Sequence, residues 1–289
     1  MPETAAMAPT VGEALAAAAL RLRRAAVGEP RRDAAILLAE VLRVDRSQLW
    51  GRDERRLTPS EVDRFDVLVD GRAARMPVSR ILGRREFWSL SFTVGPDVLD
   101  PRPDSETLVQ AVLQDGAGDR GALRLLDLGT GSGCLLLSLL SELPEATGVG
   151  VDISPAALAM ARCNARAHEL APRAQFIAGD WAQALTGRFD LIVANPPYLR
   201  SAELTEVEPE VRDYEPVLAL DGGDDGLSAY RAIAPDLSRL LNRDGRAYLE
   251  CGAGQAADVE QLLAKGGLTA ITRHCDLAGH ARCVAASAA

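Results

Sequence analysis

Between Leu123 and the C-terminus, short unbroken apolar runs alternate with longer segments whose apolar side chains recur every three or four positions. The unbroken runs predict strands buried on both faces, and the wider spacing predicts helices with one buried stripe. Strands are therefore expected at Leu123–Leu128, Thr147–Val151, Ala174–Ala178, Phe189–Ala194 and Arg246–Glu250. Helices are expected over Gly133–Leu143, from a Ser154-Pro155 cap to about His168, over Leu227–Leu241 and over Ala256–Lys265. Leu268–His274 and Ala281–Ala286 predict closing antiparallel strands, with Ala285 to Ala289 fraying. Strands alternating with helices in this way predict an α/β fold with a mostly parallel, doubly wound sheet.

The first 75 residues follow a helical period only. Thr10-Val11-Gly12-Glu13 predicts a capping box, in which the Thr oxygen and Glu carboxylate cover orphan N–H groups, followed by a helix burying Leu15, Ala18, Ala19 and Leu22. Pro30 suits the first turn of a second helix, Ser47–Trp50 a short one, and Thr58-Pro59-Ser60-Glu61 a second capping box before Val62, Phe65, Leu68 and Val69. Residues 1–75 are expected to form a small helical bundle. From Pro77 the pattern changes. Glu86 to Val94, bracketed by Gly83 and Gly95, predicts a β-hairpin, so residues 76–100 are expected to link the bundle to the α/β domain at 101–289.

Charge divides along the same line. Residues 1–95 carry 16 Arg against 13 acidic side chains, and residues 96–289 carry 16 Lys and Arg against 28. An acidic second part with only 4% aromatic residues opposes wrapping bare nucleic acid, where phosphate neutralisation and base stacking dominate. Five cysteines without a C-x-x-C pair fit a reducing, cytoplasmic setting. His274, Cys275, His280 and Cys283 crowd into ten residues, but a hairpin with buried thiols explains them better than a metal, and no metal site is expected. The N-terminus, Met1 to Thr10, lacks the basic region of a signal peptide, and no apolar run is long enough to span a membrane.

Candidate chemistry sits where predicted strands end. Asp127-Leu128-Gly129-Thr130-Gly131-Ser132-Gly133 joins the first strand to its helix, and its glycines allow close backbone approach to a ligand at a helix N-terminus. Cys134 stands where a third glycine would admit a pyrophosphate, and no P-loop lysine follows, so a cofactor without phosphate fits better. Asp152 ends the second strand, where a carboxylate can take both ribose hydroxyls; capping a helix is its alternative role. Asp180 and Trp181 end the third, able to accept from an adenine amine and to cover its face, or else to serve as turn and core residues. Together these strand ends favour an adenosine-type cofactor. At the fourth, Asn195-Pro196-Pro197-Tyr198 offers an amide oxygen, rigidly aimed carbonyls and a ring, suited to hold a planar amine or merely to stop a strand.

The glycine loop paired with that tetrapeptide resembles S-adenosyl-L-methionine-dependent methyltransferases acting on planar nitrogens. Glu86-Phe87-Trp88, Pro101 to Glu106, Gly179-Asp180-Trp181, Glu215-Pro216 and Asp276-Leu277-Ala278-Gly279 extend the likeness. Over its whole length the chain is similar to the release factor glutamine methyltransferase family, which modifies the glutamine of the Gly-Gly-Gln motif in bacterial peptide chain release factors. Ser105 stands where that family usually has Thr, and Cys251 follows Glu250 at a variable place; neither departure is expected to touch the chemistry.

The resemblance implies a Rossmann-like class I methyltransferase sheet behind the bundle and hairpin, with S-adenosyl-L-methionine as cofactor and release factors as partners. It implies that Gly129, Thr130, Gly131, Ser132, Gly133 and Asp152 bind the cofactor, with Trp181 and Asn195 lining its pocket; Asp127 and Asp180 join that set from the residue-level reading. Asn195, Pro196, Pro197 and Tyr198 are expected to hold the glutamine. The Asn195 side-chain oxygen and the Pro196 carbonyl would accept its two N–H bonds, fixing a nitrogen whose lone pair is otherwise delocalised, while Tyr198 packs on the amide plane. The bundle is expected to bind the substrate protein. Rival readings are a ribosomal-protein glutamine methyltransferase, an enzyme acting on the exocyclic amine of adenine or guanine in nucleic acid, and a non-catalytic adaptor.

Overall fold

Both expected capping boxes form. Glu13 N donates to Thr10 Oγ1 at 3.2 Å while Thr10 N donates to the Glu13 carboxylate at 2.8 Å, and Thr58 with Glu61 repeats the pattern. They open α1 (Val11–Arg24) and α3 (Pro59–Ala73), with α2 (Pro30–Leu42) between them and the short α4 (Val78–Leu82) after them. The computed structural model describes residues 8–183 and 185–288, so most of the Met1 to Thr10 segment and Ala289 lie outside the described residues. The chain divides into two compact units at Gly83/Arg84. In the first, Val11, Leu22, Leu37, Leu38, Phe65 and Val69 form a core, while Leu15, Val62 and Leu68 pack half-buried at its margin. An ion pair is buried beside it, Arg72 Nε donating to Asp33 Oδ2 at 2.7 Å. α4 is too short for a periodic signal.

The second unit begins with a hairpin, β1 (Arg84–Phe87) and β2 (Leu90–Thr93), turned by Trp88 and Ser89 at φ of 49° and 59°. Two successive positive φ values match the right-handed twist of a tight hairpin. Glu106 accepts from Trp88 N and Glu142 from its indole N–H, which holds the turn in place. Phe87 and Phe92 are buried in the second unit's own core, so the hairpin expected as a linker is part of this unit.

Helix α5 (Glu106–Gln114) follows, and then the alternation predicted from the sequence: β3 (Arg124–Leu128), α6 (Cys134–Glu142), β4 (Thr147–Asp152), α7 (Pro155–Ala167), β5 (Ala174–Ala178) and β6 (Phe189–Ala194). Beyond the short α8 (Pro209–Arg212) come α9 (Ser228–Leu240), β7 (Leu241–Glu250), α10 (Ala256–Lys265), β8 (Leu268–Cys275) and β9 (Ala281–Ala288). The seven strands lie in the order β5-β4-β3-β6-β7-β9-β8, with β9 antiparallel to both neighbours and the other pairs parallel. Residues alternate between faces along β6: Leu191 and Val193 join the core under α5 and α6, and Ile192 and Ala194 the one under α9 and α10. β7 starts earlier than its apolar run because Leu241 pairs with Phe189 ahead of an irregularity in register.

Two sequence expectations fail here. Ala285 and Ala286 are fully buried rather than frayed, since β9 sits inside the sheet between β7 and β8. The C-terminal hairpin forms, but only Cys283 is buried; Cys275 is exposed because β8 is the sheet's edge. Among the described residues no cluster of His, Cys, Asp and Glu is arranged to hold a metal, and no helix is long and apolar enough to cross a membrane.

Candidate functional site

Strand order reverses between β3 and β6, and there Leu128 registers with Ala194. The segments leaving these strands therefore diverge and open a crevice, the place where parallel α/β sheets bind ligands. Gly129 and Gly131 turn the chain out of β3 with φ of 74° and 54°. A Cβ on Gly129 would stand 3.2 Å from the Trp181 ring, so glycine here is what admits the indole against the loop. Gly133 serves packing behind the loop instead, since a Cβ there would press on Leu137 and Ala161.

Carboxylates fasten the loop from both sides. Thr130 Oγ1 donates to Asp127 Oδ2 at 2.6 Å, and Gly131 N and Ser154 N donate to the two Asp152 oxygens at 2.8 and 2.9 Å. Asp127 is fully buried, and burial pushes its carboxyl up to about 7, helped by the nearby charge of Asp152 and opposed by the Thr130 hydroxyl. The loop's other support is Asn164, which donates to the Ser132 and Thr93 carbonyls and accepts from Thr93 N.

These groups border a cavity of about 470 Å³, within the range of small-molecule sites. Its walls include Gly129, Thr130, Gly131, Ser132, Asp152, Asp180, Trp181, Asn195 and Pro197. Asp127, Gly133, Pro196 and Tyr198 are not among the wall residues. Pro196 is buried, and Tyr198 packs half-buried against the core under α9 and α10, its carbonyl accepting from Gln255 Nε2. Asp180 is exposed and accepts from Gln183. Among the described wall residues Arg102 is the one permanent cation, and Glu215 holds it at 3.0 Å, whereas Asp97, Asp152, Asp180 and Asp221 are acidic. That balance repels a polyphosphate and suits a cationic, phosphate-free ligand.

Asn195 stands at the end of β6 with its Nδ2 donating to Ser105 Oγ at 3.0 Å. Ser105, buried ahead of α5, thus touches the candidate chemistry, contrary to what the sequence suggested for that position. Glu250, buried at the end of β7, lies beside Ser105 and Asn195; burial raises its carboxyl to about 7, and those two side chains and Arg282 draw it back down. Arg282 is held by Asp276, whose other oxygen accepts from Ala278 N and His280 N in the β8–β9 turn, and it also pairs with Asp104. Glu215 fastens the opposite wall, accepting from Arg102 and from Asp100 N. Glycines close the site behind the tetrapeptide: a Cβ on Gly222 would stand 2.8 Å from the Pro197 carbonyl. Sequence reasoning misses Ser105, Glu250 and Asn164 as site residues because their partners are distant along the chain; glycines clustered from Gly222 to Gly226 are the visible sign of close approach.

Residues 13–83 match the PrmC N-terminal domain, and residues 99–210 the methyltransferase small domain. The release factor glutamine methyltransferase of Rhodospirillum rubrum is 48% identical over 276 residues, covering 96% of this chain and 84% of the relative. The chain belongs to the release factor glutamine methyltransferase family. Its counterpart from Bradyrhizobium diazoefficiens is 44% identical, with 96% of each chain covered. Among solved structures, the hMettl16 catalytic domain in complex with a MAT2A 3'UTR hairpin aligns with a TM-score of 0.55 at 16% identity, over 76% of this chain and 81% of that one. A T. thermophilus 16S rRNA methyltransferase in complex with AdoMet and guanosine gives 0.51 at 21%, over 71% and 50%. At those identities the likeness is one of fold, the Rossmann-like class I methyltransferase sheet expected from the sequence.

Proposed function

We propose that this chain transfers a methyl group from S-adenosyl-L-methionine to the side-chain amide nitrogen of the glutamine in the Gly-Gly-Gln motif of bacterial peptide chain release factors, in the cytoplasm. The observation that carries this reading is Asn195, an amide anchored by its nitrogen to Ser105 beside the Gly129–Gly131 loop. With Nδ2 engaged, its Oδ1 remains an acceptor for a substrate N–H, and the Pro196 carbonyl is the second acceptor. Two acceptors pin a planar NH₂ group and favour turning its lone pair toward an electrophile, which is where orientation lowers the barrier.

The cofactor's share is a methyl group on a cationic sulfur. For this chain's part, the Gly129–Ser132 backbone and Trp181 would hold the adenosyl moiety and Asp152 the ribose, and the acidic wall favours the positive charge. Asp127 acts one layer back, holding Thr130, and Gly133 lets α6 pack closely. Asp180 would accept from the adenine amine, while Pro197 and Tyr198 fix the backbone on either side of which the two acceptors stand. The same acidic wall disfavours a nucleic-acid substrate. The bundle at residues 1–75 contributes to holding the substrate protein. Labelled S-adenosyl-L-methionine offered with purified release factor, ribosomal proteins and DNA tests the reading. Label is expected in release factor; label confined to ribosomal protein or DNA would overturn it.

A further inference from the structure

A buried carboxylate faces the residue on which this reaction depends. Glu250 is 1% exposed, at the end of β7, one position beyond the registered pair Ala194 and Leu249, which brings it beside Asn195. Ser105 Oγ accepts from Asn195 Nδ2, so the hydroxyl proton is left to donate, and the Glu250 carboxylate lies close by. One Glu250 oxygen, Oε2, has no partner although it is buried. A buried carboxylate with an unmatched oxygen is costly to fold and gives the core nothing in return. Its value has to lie in what it orders.

We propose that Glu250 is a positioning residue for methyl transfer: directly and through Ser105 it accepts the amide hydrogens of Asn195, so that Asn195 Oδ1 is the end presented to the substrate amide. The inference rests on the reading of function given above. A side-chain amide is nearly symmetric in shape, and only its hydrogen-bond partners decide which end points where. Flipped, Asn195 would present NH₂ to a substrate NH₂, donor against donor, and the glutamine would be lost from its reactive pose. An ionised carboxylate accepts and cannot donate, which makes it the side chain best suited to forbid the flip.

Glu250 is one of two buried carboxyls here raised to about 7, the other being Asp127 at the end of β3. Arg282 on β9 and Asp104 before α5 lie around it, in a pair with each other. The Tyr198 hydroxyl and the Cys134 and Cys251 thiols are each pushed by burial up to about 12, and Tyr230 and Cys283 go well above their ordinary values, so all five remain neutral. Burial raises Glu250 to about 7, so it is ionised above that pH and protonated below it. A protonated Glu250 carries an O–H that can donate to Asn195 Oδ1, which permits the flip. Turnover is therefore expected to climb with pH through about 7.

Glu250→Gln keeps the volume of the side chain but adds a donor and removes the charge. In saturating release factor and S-adenosyl-L-methionine, kcat of the full-length variant is expected to fall about 10- to 100-fold, as slight misplacement of a reacting group does. Its affinity for S-adenosyl-L-methionine, by calorimetry, should stay within about twofold, because Glu250 does not line the cavity. The rise in kcat through about pH 7 should vanish; the nearby Asp127 is unchanged and would preserve such a rise if it were the cause. Should Glu250→Gln fail to fold, Ser105→Ala carries the test, with kcat lost and Ser105→Thr restoring turnover. A variant with wild-type kcat and the wild-type pH profile overturns the positioning role. Wild-type protein that methylates no release factor at any pH would instead sink the functional reading on which it rests.

Discussion

Asp127 ties the glycine loop to β3. Its position at the end of β3 suggested a ligand group, yet it lies fully buried and holds Thr130 from behind. Its carboxyl, raised by burial from 3.8 to about 7, ties loop integrity to pH. A carboxyl with a folded pKa above its unfolded value stabilises the fold while protonated, and that contribution is lost as pH rises toward the folded value. Asp127→Asn keeps an acceptor for Thr130 and stays neutral throughout. Between about pH 5.5 and 7 the wild type should lose about 2 kcal/mol relative to this variant, read from urea unfolding at each pH. Equal slopes for the two proteins would mean that Asp127 is not protonated in the folded state.

Among the elements, β2, α7 and the glycine loop are coupled through Asn164. This fully buried amide makes three hydrogen bonds, to Thr93 N, the Thr93 carbonyl and the Ser132 carbonyl. Asn164→Ala leaves those groups unpaired and should cost on the order of 2–4 kcal/mol, with weaker S-adenosyl-L-methionine binding. Unchanged thermal unfolding would show that water replaces the amide. The elements themselves were largely legible in the sequence. Ala174–Ala178, Phe189–Ala194 and Ala256–Lys265 fall where apolar runs and spacing put them, because each is bounded by turn formers. What could not be read was pairing across the chain: Ser105 and Asn195 are 90 residues apart, and only folding reveals their hydrogen bond. The same blindness exposed Cys275 and buried Ala285, since edge and interior positions in a sheet are set by strand order.

For the whole molecule, the division at Gly83/Arg84 leaves the cavity, its carboxylates and Asn195 all within the second unit. That unit has its own cores on both faces of the sheet. Residues 84–289 alone are therefore expected to fold and to bind S-adenosyl-L-methionine with an affinity near that of the full chain. KM for release factor should rise at least about tenfold, as loss of an attached binding surface does. A folded truncation with unchanged KM would take substrate binding away from the bundle.

The most direct measurement is the position of the methyl group itself. Release factor incubated with S-adenosyl-L-methionine and the wild-type chain, then digested and sequenced by mass spectrometry, should carry one added methyl on the glutamine side chain of Gly-Gly-Gln. The Asn195→Ala protein, still binding S-adenosyl-L-methionine, should leave that peptide unmodified. A methyl group on any other residue, or undiminished glutamine methylation by Asn195→Ala, would contradict the role assigned to Asn195 and its anchored amide.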